Sequence, residues 1–178
     1  MKMQNHVTFT TAALIVSLVA LPACKRETGE VVAELRNPAG ATVGEATLEA
    51  VEDGVRIRLE GSDLPPGSHG FHIHENGECT PPTFESAGGH FNPTNASHGL
   101  EDPAGPHLGD LPNIEVGVNG TVTVDVIARG VTLAETGETS LVAGNGTALV
   151  VHAQPDDNVS DPSGNAGDRI ACGVITQR

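Results

Sequence analysis

Residues 31–59, VVAELRNPAGATVGEATLEAVEDGVRIRL, hold three runs in which apolar and polar side chains alternate: Val31 to Leu35, Ala41 to Ala50 and Val55 to Leu59. Alternation with period two puts successive side chains on opposite faces, so each run reads as a half-buried strand. The runs are separated by Asn37-Pro38-Ala39-Gly40 and by Asp53-Gly54. The second break is a favoured two-residue hairpin turn, because both residues tolerate positive φ. Further out, Asn119-Gly120 repeats that signal between Ile114 to Val118 and Thr121 to Ala128. More strands are expected at Val131 to Ala134, Ala148 to Ala153 and Ile170 to Thr176. No stretch beyond residue 30 carries a 3.6-residue apolar period, and the 22 Gly and 12 Pro of the chain punctuate short segments. The expected fold is therefore all-β, an antiparallel sandwich or barrel. Glu75 to Asp110 and Gln154 to Asp168 are too long and too polar for simple turns, and long ordered loops on a β scaffold usually carry function.

A length of 178 residues with 38% hydrophobic side chains allows one compact core. Against 23 Asp and Glu stand 9 Lys and Arg, a formal charge of -14, and aromatic residues make up 2%. Nucleic acid is thereby excluded as a partner, since it needs clustered cations for phosphate and aromatic faces for stacking. The charges are scattered among Val, Ile and Leu rather than gathered in blocks, so the chain is folded rather than disordered.

Residues 1–23 read as a signal peptide. Ala12 to Leu21 is apolar apart from Ser17, too short to span a bilayer, and it ends in Leu21-Pro22-Ala23-Cys24. Small residues before a cysteine are what bacterial lipoprotein processing reads, so Cys24 is the expected lipidation site and residues 24–30 a tether. Ordinary secretion with Cys24 trimmed or idle is the alternative. Either route puts the mature chain in the cell envelope or periplasm, with a membrane contact through the lipid anchor in the first case. The cysteine count of 3 then resolves: with Cys24 acylated, Cys79 and Cys172 remain to pair in an oxidising compartment. Two buried free thiols are the other reading.

The chemistry lies in the histidines. His72 and His74, two apart on a strand, point to one face and can reach a single ion. His90, His98, His107 and Asp110 crowd one long loop and offer three nitrogens and one oxygen, a closed tetrahedral set suited to zinc. His152 ends the apolar run Leu149-Val150-Val151, where it is either a ligand or a core residue. His69 has the opposite strand parity from His72 and His74 and is read as structural.

Five motifs in order, Gly70-Phe71-His72-Ile73-His74-Glu75, Ser86-Ala87-Gly88-Gly89-His90-Phe91-Asn92-Pro93, Gly105-Pro106-His107-Leu108-Gly109-Asp110-Leu111, Leu149-Val150-Val151-His152 and Gly164-Asn165-Ala166-Gly167-Asp168-Arg169-Ile170-Ala171-Cys172-Gly173, resemble the bacterial form of copper/zinc superoxide dismutase. The likeness covers about residues 31–176, within a domain of residues 31–178. It implies an eight-stranded antiparallel Greek-key β-barrel with long metal-binding and active-site loops. It also implies copper on His72, His74, His90 and His152, and zinc on His90, His98, His107 and Asp110, with His90 bridging the two. Asp156 matches the carboxylate that joins a copper-ligand imidazole to a zinc-ligand imidazole, here His72 and His98, which fixes ring orientation and tautomer.

The family's reaction is the dismutation of superoxide to dioxygen and hydrogen peroxide. Copper takes an electron from one superoxide and returns it to a second, two protons completing the peroxide, while zinc cannot change oxidation state. By the same resemblance His90 carries a proton, and Arg169, three residues before Cys172, holds the anion beside the copper, with the bridge helping to fix it. The chain departs from the family in charge: Arg129 is the only basic residue between Leu59 and Asp168, where lysines would guide the substrate. A copper-delivery protein on the same fold would be expected to lack a ligand or the arginine, and a copper-only dismutase would lack the zinc set. Monomer and homodimer both stay open.

Overall fold

The computed structural model describes Met1 and residues 29–178, so the expected signal segment and Cys24 lie outside the described residues. The strands follow in chain order as β1 (Val31–Arg36), β2 (Thr42–Val51), β3 (Gly54–Gly61), β4 (Gly67–His69), β5 (Phe71–His74), β6 (Ile114–Val116), β7 (Val122–Arg129), β8 (Ala148–His152), β9 (Arg169–Val174) and β10 (Thr176–Gln177). One 3-10 turn, Glu85–Ala87, is the only helical element among the described residues. The large sheet is 8-stranded, in the order β5-β8-β9-β1-β2-β3-β7 with β10 also paired to β1, and β4 pairs with β6 in a second sheet. Every strand pair is antiparallel. The jumps from β5 to β8, β9 to β1 and β3 to β7 are Greek-key connections. Only Gly70 separates β4 from β5, and β6 leads into β7 through a turn closed by the Gly120 amide on the Gly117 carbonyl. The small sheet thus links the two edges of the large one, and the sheet curls into the expected barrel.

The hairpin from β2 to β3 forms one residue earlier than Asp53-Gly54 suggests. Val51 pairs with Gly54, which leaves Glu52 and Asp53 as the loop. Gly54 is needed for close approach instead, since a Cβ there would lie 2.0 Å from the Ala128 carbonyl oxygen on β7. The strand expected over Val131 to Ala134 does not form. Gly130 turns the chain at φ 73, and the segment makes only a bridge from Thr132 to Ser140 within its own loop.

Inward positions of the strands build the core: Ala33, Leu35, Ala46, Ile57, Leu59, Leu149 and Val151 are fully buried. At roughly 1.5–3 kcal/mol for each buried Leu, Ile, Val or Phe, this interior supplies the main driving force. The scarcity of aromatics points to a wholly aliphatic core, but Phe71 enters it fully buried. On β8 all five residues are buried. Leu149 and Val151 face the barrel, while Ala148 and Val150 join Phe84, Ala87 and Cys172 in a separate cluster beneath the long loop. The Cys79–Cys172 bond is formed, with Cα atoms 5.7 Å apart and a sequence separation of 93. Closing so long a loop restricts the unfolded chain by roughly 4–5 kcal/mol on the entropy model.

Candidate metal centre

Strand alternation assigns the two faces of β5 to different tasks. Phe71 and Ile73 belong to the core cluster, whereas His72 and His74 pair with Val150 and Ala148 on the outer face of the wall. The long loops fold over that face. His72 bridges to Asp110 and His74 to His90, so the loop from Glu75 onward is laid against the edge of β5 as a further ladder. His152 arrives from the end of β8, where the register shifts between Val151 and His152.

Each imidazole is aimed by the nitrogen it does not offer to the centre. His74 Nδ1–H donates to the Gly88 carbonyl at 2.9 Å, and His152 Nδ1–H to the Gly167 carbonyl at 3.1 Å. His72 Nε2–H donates to Asp156 Oδ2 at 2.6 Å, and His98 Nε2–H to Asp156 Oδ1 at 3.0 Å. One carboxylate therefore ties together a ring of each group. The remaining nitrogens face inward: His74 Nε2 lies 3.3 Å from His152 Nε2, and His72 Nδ1, His90 Nε2 and His107 Nδ1 are buried with no hydrogen-bond partner among the described residues. Buried polar atoms without partners are costly and rare, so a cation that accepts their lone pairs accounts for them.

The second group converges on one oxygen. Asp110 Oδ1 is 2.8 Å from His90 Nδ1, 3.2 Å from His98 Nδ1 and 3.3 Å from His107 Nδ1. Its other oxygen, Oδ2, accepts the amides of Gly99 and His107 at 2.9 Å each, which turns Oδ1 toward the three imidazoles. A tetrahedron with zinc-to-ligand distances near 2.0 Å has edges of about 3.3 Å, so the spacing fits zinc. Together His72, His74, His90 and His152 form one set and His90, His98, His107 and Asp110 the other, each with its ligand atoms within 4.8 Å of one another. All of these side chains are buried, and His90 is common to both sets.

Protonation favours metal over proton. Burial pushes His72 down to about 4, His152 to about 3 and His74 to about 2, and it also lowers His107. Burial alone would raise Asp110, but hydrogen bonds from His90 and Gly99 win and hold it at about 2. Asp156 is likewise lowered, its desolvation outweighed by His72, His98 and the Asn158 amide. These lone pairs are available at neutral pH.

Several supports come from residues to which the sequence reading assigns no role. Asn113 grips the backbone of Asp156 at two points, its Nδ2–H donating to the Asp156 carbonyl and its Oδ1 accepting the Asp156 amide, both at 2.8 Å. Asp161 accepts the His98 amide at 2.7 Å, and Glu75 the Gly89 amide at 2.9 Å. Gly164 leaves room for the carboxylate, since a Cβ there would sit 1.8 Å from Asp156 Oδ1. His69 lies on β4 outside both groups, its ring nitrogens 2.8 Å from the carbonyl oxygens of His152 and Pro65, in keeping with a structural role.

Arg169, at the start of β9, borders the same pocket as His74, His90 and His152. Its Nη1 donates to the Phe84 carbonyl and its Nη2 to the Gly88 carbonyl, each at 2.6 Å. The disulfide does not bond to the guanidinium. Cys172 lies three residues along β9, and both cysteines pack with Phe84, so any fixing of Arg169 by the bridge is indirect.

The family model for copper/zinc superoxide dismutase (SODC) matches residues 42–175. The chain belongs to this family. It is 54% identical to superoxide dismutase [Cu-Zn] 2 of Aquifex aeolicus over 144 residues, covering 80% of this chain and 84% of that protein. It is 41% identical, with a TM-score of 0.79, to the crystal structure of a SOD-like protein from Bacillus subtilis, which covers 82% of this chain and 97% of its own. The structure of Cu/Zn superoxide dismutase from Brucella abortus is 31% identical with a TM-score of 0.66, over 82% of this chain and 98% of that one. As a copper/zinc superoxide dismutase the chain dismutes superoxide with copper and zinc as its metals.

Proposed function

We propose that His72, His74, His90 and His152 hold the copper, that His90, His98, His107 and Asp110 hold the zinc, and that His90 bridges them. The observation that carries this reading is the pair of buried donor sets sharing His90, with three ring nitrogens lacking any partner. Copper, which alternates between two oxidation states, supplies the electron transfer, and zinc, which cannot, holds its ligands in place.

The chain's own groups do the rest. Arg169 presents a fixed positive charge beside His74 and holds the superoxide anion there, its planar fork kept in orientation by two carbonyls. His90 carries a proton at Nε2, the atom without a protein partner, toward the reduced substrate. Asp156 fixes the tautomers of His72 and His98 together. Among the described residues Arg169 is the one Lys or Arg lining this pocket, while Arg129 is paired with Asp53 on the barrel. Capture therefore rests on Arg169 and the metal charges rather than on an extended positive field.

Export of the chain, with residues 1–23 removed and Cys24 lipidated, would place this activity in the bacterial envelope, where it protects against superoxide formed outside the cytoplasm. The formed disulfide supports an oxidising compartment. Metal analysis of the purified mature protein together with a superoxide-consumption assay tests the site. One copper and one zinc per active chain are expected, and loss of both metals' binding must follow from His90→Ala. Retention of both metals in that variant would refute the bridge. Mass spectrometry of the mature N-terminus tests lipidation.

A further inference from the structure

Phe84 has a backbone that its side chain disfavours. Its φ of 55 and ψ of 21 lie in the left-handed region, which a bulky residue rarely adopts and which Gly or Asn would occupy at lower cost. The ring is 1% exposed and shares its cluster with Ala87, Ala148, Val150 and the Cys79–Cys172 bridge. The Phe84 amide donates to the Thr80 carbonyl at 3.0 Å. Its carbonyl accepts the Ala87 amide at 3.1 Å and Arg169 Nη1 at 2.6 Å.

A local strain that persists must be held by its surroundings, and here the buried ring is what holds it. We infer that Phe84 is a positioning residue for Arg169: ring burial sustains the left-handed backbone, and that backbone turns the carbonyl onto the guanidinium. The second carbonyl, that of Gly88, also accepts His74 Nδ1–H, so Phe84 selects the orientation in which the arginine stands beside a proposed copper ligand. The disulfide then acts on Arg169 at one remove, as part of the cluster that receives the ring. No feature of the residue types announces this role, because the atom that does the holding belongs to the backbone.

The inference rests on the reading of Arg169 as the anion-holding group, but its test does not. Metal-free protein is treated with phenylglyoxal, which modifies arginines, and the rate at Arg169 is read by peptide mass mapping relative to Arg129 and Arg56 in the same chain. Phe84→Ala removes the ring, and modification of Arg169 is expected to accelerate at least fivefold against the two reference arginines. Phe84→Leu and Phe84→Ile both keep a buried apolar side chain, smaller than Phe and equal in volume to each other, yet the β-branched Ile resists positive φ more strongly. Arg169 should therefore react several-fold faster in the Ile variant than in the Leu variant, even where the Ala variant fails to fold. Equal rates in Ile and Leu overturn the inference, as does a folded Ala variant with the wild-type rate. Failure of the Arg169 assignment itself would show separately, as unchanged turnover in Arg169→Ala.

Discussion

Replacing Arg169 with alanine removes the one Lys or Arg that, among the described residues, lines the pocket of His74, His90 and His152. Its Nη2 and His74 Nδ1 donate to the same carbonyl oxygen, at 2.6 and 2.9 Å, which places the guanidinium within one residue's breadth of the proposed copper ligands. At a separation of roughly 5–6 Å and an effective dielectric of about 20–40, the attraction for a singly charged anion is about 1.5–3 kcal/mol. The group is partly exposed, so solvent screening pulls the figure toward the lower end. At about 1.4 kcal/mol per decade, kcat/KM should fall about tenfold or somewhat more. The assay is stopped-flow decay of superoxide, with copper and zinc measured on the same samples. Arg169→Lys is the informative partner, because it keeps a charge but cannot satisfy two carbonyls with a planar fork. It should recover only part of the rate. Unchanged kcat/KM in Arg169→Ala with both metals retained would refute the reasoning, and so would a loss that tracks metal content alone.

Three other outcomes are expected. With no extended positive field to screen, kcat/KM should stay flat or rise as ionic strength increases from low to physiological, and a steep fall in stopped-flow measurements would contradict that. The metal-free protein should lose stability as pH drops from 7 to 5: unfolded imidazoles titrate near 6.5, while folded His72 titrates at about 4 and His152 at about 3, so the unfolded chain takes up more protons across this range. Urea midpoints at the two pH values measure the effect, and an equal or higher midpoint at pH 5 would count against it. Asn113→Ala should weaken zinc binding by roughly tenfold through loss of the Asp156 grip. Chelator competition reads this, and the effect must vanish when Asp156 is already alanine.

What could be read without coordinates divides along a physical line. Side-chain patterns were legible: alternation located β1, β2, β3 and β7, an apolar run located β8, and spacing singled out His72, His74, His90, His98, His107 and Asp110, while His152 joined its set only through the family resemblance. Backbone conformation was not. Val131 to Ala134 has strand-like alternation, but the positive φ at Gly130 turns it away from the sheet. Gly67–His69 forms β4 with no alternation to reveal it, because its partner β6 supplies the register. The carbonyls of Gly88 and Gly167 aim His74 and His152, that of Phe84 holds Arg169, and a carbonyl is common to every residue type. Asn113 could not have been singled out either, since its grip on Asp156 spans 43 residues of sequence.

The two faces of β5 and β8 also bear on how such a chain can change over generations. Interior residues such as Phe71, Ile73, Leu149 and Val151 hold the barrel, whereas His72 and His74 project from the opposite face of β5 and His152 stands at the end of β8. Substitutions confined to the outer face can therefore abolish or restore metal binding while the interior that drives folding stays intact. A descendant that lost its chemistry would keep a stable barrel, free to be selected for another purpose.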